Sequence, residues 1–323
     1  MNAKDFIQEA RQAVSSASCS PKKLVAIHTG VTALAGLVVA LMAYLLEAGI
    51  GDAGGLSGIS TRAWLETVQS VLDLALSVLT PFWILGFTAA ALRMARMQQA
   101  NSNTLLEGFR RWGPILRMMI AEGILYFALS FMIIQTGTFV YMMTPLSQPM
   151  QAMLQQLMDA GTTDATAVAE LLMSLELSEL LPIFWSMVPF VVVPTAVILI
   201  FVRYRLRLAQ FIIMDQPRVG ALYALLLSNR LMKGNALRLF LLDLRFWWFY
   251  LLELLIQVLC YGDLLLPLLG VQFGISEVMA AFLFYLLALV AQLGLYVWQK
   301  PQIFTAYALF YEHLLPKEST AEM

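Results

Sequence analysis

The chain has 323 residues, of which 60% are hydrophobic and only 13% charged, with a mean hydropathy of +0.76. That balance excludes an ordinary soluble domain, in which about a quarter of residues are charged, and points to a bilayer. The formal net charge of -1 conceals a strong asymmetry along the chain and gives no ground for a nucleic-acid role.

Residues 1–23 read as an amphipathic helix. Phe6, Ile7, Ala10, Ala13, Val14 and Ala17 recur at helical spacing, while Lys4, Asp5, Glu9 and Arg11 occupy other faces. Such a helix is expected to lie at a membrane surface. The first long apolar stretch follows this polar segment and is too long for the core of a signal peptide, so it reads as an uncleaved anchor.

A helix crosses a hydrocarbon core of about 30 Å with roughly 20 mostly apolar residues. Six segments meet that requirement: Leu24–Leu46, Leu74–Leu92, Gly123–Met143, Leu181–Val202, Phe246–Leu269 and Val278–Gln299. All but the fifth are free of Asp, Glu, Lys and Arg; the fifth contains Glu253 and Asp263. The expected architecture is an all-α, six-helix membrane bundle forming a single integral-membrane domain, with amphipathic helices at its surface.

Orientation follows from the basic residues, because Lys and Arg concentrate in cytoplasmic connections. Of the 20 in the chain, 19 fall in residues 1–23, in the connections after the second and fourth spans, and in the tail; only Arg62 falls on the other side. Both termini are therefore expected in the cytoplasm of a bacterial cell, and the protein in its inner membrane. The basic residues flank spans, where anionic lipid headgroups are the default partner. The opposite connections are acidic, above all residues 144–180, with Asp159, Asp164, Glu170, Glu176 and Glu179. Met150, Met153, Leu154, Leu157 and Met158 form one apolar stripe there, and Val168, Leu171, Leu172 and Leu175 another. A helical loop of this kind packs on the ends of the spans or binds a partner; thioether ligation of a metal is the weaker alternative, since Met commonly fills hydrophobic gaps.

The basic connection at 203–245 carries a second surface helix, from about Arg218 to Lys233. Gly234 then suits the left-handed residue that ends a helix, and Asn235 suits the cap of the next. Gly113-Pro114 serves similarly before the third span. The parallel extends: Gly113-x-x-Leu116-Arg117 precedes Glu122 as Gly234-x-x-Leu237-Arg238 precedes Asp243, and Phe87-Thr88-Ala89-Ala90-Ala91-Leu92 is similar to Phe304-Thr305-Ala306-Tyr307-Ala308-Leu309. Internal duplication and coincidence among Leu- and Ala-rich helices both remain open as explanations.

Ionisable residues inside spans are expensive, about 2.5–3.5 kcal/mol at a helix centre on insertion scales. Glu253 lies seven residues into its span, about 10 Å deep; it is either a proton or cation site or a carboxyl held by a neighbouring helix. Asp73 and Asp263 fall near the outer face, within reach of water. Glu122 and Asp243 are expected to pair with Arg117 and Arg238. His28 reads as a hydrogen-bonded residue near the inner end of the first span.

Several chemistries are not expected. Gly55-Leu56-Ser57-Gly58 spells the nucleophile motif of intramembrane serine proteases, but it falls in a Gly-rich outer loop with neither His28 nor His313 placed to serve it. Phosphate loops, dinucleotide fingerprints and zinc-protease motifs are absent from the sequence. Cys19 and Cys260 lie on opposite sides of the expected membrane and show no metal or redox spacing. The reading is a non-enzymatic protein without cofactor or metal.

Asp215-Gln216-Pro217, Ser228-Asn229-Arg230-Leu231-Met232-Lys233-Gly234-Asn235, Phe240-Leu241-Leu242-Asp243-Leu244, Pro301 and Phe310-Tyr311-Glu312 occur in order across residues 203–315. This series resembles the signature of a bacterial integral-membrane family, domain-of-unknown-function family nine-seven-five. Arg245 departs from the small polar residue usual there, and Gln302 from the usual aromatic. The resemblance implies a bacterial cytoplasmic-membrane protein and carries no chemistry with it. The expected function is binding or assembly of lipid, of another membrane protein or of further copies of the chain; the alternative is a small ion- or proton-coupled carrier or channel.

Overall fold

A computed structural model describes residues 3–16, 21–49, 56–159, 177–216, 218–262 and 277–315. The regular elements among them are all helical. In chain order they are α1 (Ala3–Ser16), α2 (Pro21–Gly49), α3 (Leu56–Ala95), the short α4 (Ser102–Leu105) and α5 (Glu107–Arg110), and α6 (Trp112–Met142). A 3-10 turn (Pro145–Ser147) leads into α7 (Gln148–Asp159). Next come α8 (Leu177–Met187), a π-helical turn (Val188–Val192), α9 (Val193–Leu206), α10 (Ala209–Asp215), α11 (Ala221–Leu231), α12 (Ala236–Arg245), α13 (Trp247–Cys260) and α14 (Glu277–Leu314).

Among the described residues, five stretches are long and apolar enough to cross a membrane: Pro21–Met42, Glu66–Ala95, Trp112–Met142, Leu181–Asp215 and Met279–Leu314. They coincide with five of the six expected spans. The remaining one is represented by α13, with 14 residues; the expected continuation through Leu269 lies outside the described residues. Several helices exceed their expected bounds; α6, for one, begins at Trp112 rather than Gly123. α3 begins at Leu56, so Leu56-Ser57-Gly58, expected in a loop, belongs to a helix. α14 runs past Gln299 and through Pro301 to Leu314.

The chain divides into two units. The first combines Met1–Arg117 with Leu208–Met323, and the second is Met118–Arg207. In the first unit α14 is the axis, packed against α1, α2, α3 and α13. The two similar hexapeptides noted above meet there. Phe87 stands edge-on to Phe304 with ring centroids 5.0 Å apart, and Ala89, Ala90, Ala91, Ala306 and Ala308 are buried. Small side chains on both helices let the backbones approach, as packing within a bilayer favours.

The apolar face of α1 turns inward rather than onto lipid. Phe6, Ala10 and Ala13 are buried, α1 packs on α14 and α12, and the Phe6 ring lies 5.5 Å from that of Phe310. The amphipathic pattern expected of α1 is real, and protein covers its apolar face.

Two glycines allow α4 and α5 to press against α3. A Cβ at Gly86 would stand 1.9 Å from the carbonyl oxygen of Leu105, and one at Gly108 would stand 1.9 Å from that of Phe82. Both obstacles are backbone, so nothing can rotate away. In the second unit, α6 meets the π-helical turn in the same manner, with a Cβ at Gly137 falling 2.4 Å from the Phe190 oxygen. Gly86→Val is expected to cost more than ~3 kcal/mol through overpacking against backbone. Thermal melting in detergent checks this, and a melting temperature equal to that of the unaltered protein would contradict the packing.

Candidate functional site

The ends of α3, α10 and α14 converge on one guanidinium. Arg96 follows the last turn of α3, next to Met97, whose φ of 56° turns the chain sharply. Its Nη1 lies 2.6 Å from Asp215 at the end of α10, and its Nη2 2.7 Å from Glu312 on α14. The Asp215 carboxylate is nearly inaccessible, with 5% of its side chain exposed, and it also accepts a hydrogen bond from Tyr311 at 3.1 Å. Burial works against the charge of Arg96, but Asp215 first and Glu312 second hold its proton above the ordinary guanidinium range.

Neighbouring basic residues are committed in the same way. Arg93 pairs with Glu107 and donates to Thr104 Oγ1 at 2.9 Å, tying α4 and α5 to α3. Arg111 donates to the carbonyl oxygens of Met214 (2.5 Å) and Ile213 (3.3 Å), capping the end of α10, where a cation suits the orphan carbonyls and the helix dipole. In the basic connection after α3, Arg93, Arg96 and Arg111 all have partners within the protein.

A second polar group runs along α14. Gln292, Tyr296 and Lys300 recur every fourth residue and share one face. Tyr296 donates to Glu253 Oε1 of α13 at 2.5 Å and accepts from Gln292 Nε2 at 3.0 Å. The Lys300 ammonium sits 4.3 Å from the centre of the Tyr296 ring, within the range of a cation–π contact, and interacts electrostatically with Glu253 and with His28 of α2. Two turns further, Tyr307 donates to Asp243 and lies 3.0 Å from the Tyr250 hydroxyl.

His28 departs from expectation. The residue is 3% exposed, and its ring stacks on Trp83 and lies tilted against Phe87, with centroids 5.6 and 5.4 Å away. Its backbone carbonyl accepts from Trp83 Nε1 at 2.9 Å, while neither ring nitrogen has a hydrogen-bond partner among the described residues. The residue is therefore an apolar-packed core histidine.

The other expected sites disperse. Asp73 is exposed on α3, and Asp263 lies outside the described residues. The pairings expected for Glu122 and Asp243 are replaced: Glu122 bonds to Tyr126 and feels Arg203, and Asp243 is held by Tyr307. Arg117 and Arg238 are exposed. An acid five residues after an arginine sits about 140° round the helix from it at 3.6 residues per turn, so the sequence spacing never favoured a pair. Gly234 has the expected left-handed backbone, with φ +84°. Lys233 beside it is exposed, and Asn235 precedes α12 as expected, although its amide turns back to the Leu231 oxygen at 3.0 Å. Among the described residues, no three His, Cys, Asp or Glu side chains converge as a metal site would require.

Arg96, Tyr296, Lys300 and Tyr307 were not singled out in the sequence. For Tyr296 and Lys300 the fourfold spacing from Gln292 was a usable signal. For Arg96 no local signal exists, since its partners stand 119 and 216 positions away.

The chain matches the family described as Protein of unknown function (DUF975) over residues 25–318, most of its length, and belongs to that family. No curated protein and no solved structure matches it.

Removing Arg96 strands a nearly buried carboxylate. Arg96→Ala is expected to lose about 2–3 kcal/mol, below the 3–5 of a fully buried pair because Arg96 is partly exposed. Arg96→Ala with Asp215→Asn should recover part of that loss in a double-mutant cycle measured by thermal melting. Strict additivity would show that the two residues do not interact.

Proposed function

We propose that this member of the family spans the bacterial cytoplasmic membrane six times with both termini inside, and works by binding rather than by catalysis. What carries the reading is the outer surface of α11 and α12. Leu222, Tyr223 and Leu226 are 67, 57 and 69% exposed, and Leu237, Leu241 and Leu244 are exposed beside them in sequence on α12. Arg218, Arg230, Lys233, Arg238 and Arg245 are interspersed with these residues. Each basic residue near an anionic bilayer surface contributes about 1 kcal/mol, and the apolar side chains add burial at the headgroup boundary. The natural occupants are anionic lipid and, through the same surface, a membrane protein or another copy of the chain.

A second reading, a proton- or cation-coupled carrier, draws on Glu253. Its carboxylate belongs to a chain of polar side chains with Tyr296, Gln292 and Lys300 within apolar helices, where ionisable groups commonly mark a transport path. Glu253→Gln should then abolish pH-driven uptake in proteoliposomes, while undiminished uptake rules the path out.

The binding reading is tested by a photo-crosslinker placed at Leu226 or Leu241 in native membranes. Adducts with lipid or with one recurring protein are expected, and adduct-free monomer at both positions overturns the proposal. Orientation is tested separately. A cysteine at Leu226 should react with an impermeant maleimide only after the cells are opened, and reaction in intact cells would invert the topology.

A further inference from the structure

We propose that the second unit holds one acyl chain of a bilayer phospholipid in the cavity beside its π-helical turn, an inference that rests on the membrane-embedded reading above. The cavity has a volume of about 520 Å³ and is lined by Leu129, Ile133, Val140, Phe190, Ile198 and neighbouring residues. Its origin is local. The turn Val188–Val192 is wider than an α-helix, and Pro189 and Pro194 in and after it lack the N–H groups that would tighten it. Gly137 lets the α6 backbone touch the Phe190 carbonyl at the edge of the cavity. Single π-turns recur at functional sites.

The lining specifies the occupant. No charged residue borders the cavity, and the one hydroxyl, of Thr136, is committed to the Met132 carbonyl of its own helix at 2.8 Å. A polar ligand would find no partner, whereas empty apolar wall would forgo dispersion contacts. From Leu129 to Val140 the site follows about 16 Å of helix axis at 1.5 Å per residue. Half of a hydrocarbon core of about 30 Å is about 15 Å, so the site is one leaflet deep. An extended polymethylene chain matches this length and this apolar lining.

The mouth suits a headgroup boundary. At the Val140 end, the Tyr141 hydroxyl lies 2.8 Å from Ser186 Oγ, and Trp185 is 65% exposed. Hydroxyls and indoles gather at this level of a membrane.

Native mass spectrometry of the full chain purified in mild detergent tests the site. The unaltered protein should retain one phospholipid per chain under activation that strips loosely attached lipid. Thr136→Trp, which fills the cavity, should lower that fraction roughly tenfold. Leu283→Trp on the exposed face of α14 should leave it unchanged. Val140→Phe serves at the mouth should Thr136→Trp not fold. Equal retention in the unaltered protein and the filled variants overturns the proposal, as does a retained species that is a peptide or a second copy. Lost retention sensitivity with intact crosslinking from α11 and α12 sinks this inference alone; lost crosslinking with a phospholipid still displaced by Thr136→Trp sinks only the surface-binding reading.

Discussion

The first unit depends on keeping one arginine charged against two carboxylates. Asp215 is almost wholly removed from water, and an isolated carboxylate there would be costly by several kcal/mol. Arg96 offsets that penalty, and Glu312 and Tyr311 complete the shell of hydrogen bonds around the pair. Because these groups come from α3, α10 and α14, none can be satisfied until all three helices are in place. The interaction therefore acts as a condition on assembly more than as a simple gain in energy, as buried ionic groups do in some systems.

Around that hub the polar groups follow a single helix. α14 contributes Gln292, Tyr296, Lys300, Tyr307, Tyr311 and Glu312, and its partners come from α3, α10, α12 and α13. Tyrosine is prominent in this set for a physical reason. It donates to a carboxylate while adding an apolar ring to the packing, so a carboxyl can be accommodated among apolar helices without a second full charge. Glu253 is held in this manner, which weakens any need to invoke a transported ion for its presence. The surface of α11 and α12, by contrast, leaves large apolar residues exposed beside exposed basic ones.

The two short sequence parallels fare differently in three dimensions. The hexapeptides beginning at Phe87 and Phe304 pack on each other through matched small residues. The Gly-x-x-Leu-Arg segments diverge. Gly113 lies within the continuous α6, while the helix after Gly234 breaks at Phe246 before α13 begins. The acids that follow, Glu122 and Asp243, both find tyrosines, though the tyrosines come from the same helix in one case and from α14 in the other.

Composition and periodicity by themselves determined the helical class, five membrane-long stretches, the glycine turn at 234 and the apolar stripe of α1. These are properties of ten to thirty consecutive residues, and the hydrophobic effect and helix geometry act on that scale. Tertiary structure alone decided what those features face. It set Phe6 against Phe310, gave Asp243 to Tyr307, and committed Arg93, Arg96 and Arg111 to partners within the protein. Charge pairing and close backbone contact, as at Gly86 and Gly137, join residues far apart along the chain, and no local pattern encodes which distant partner arrives.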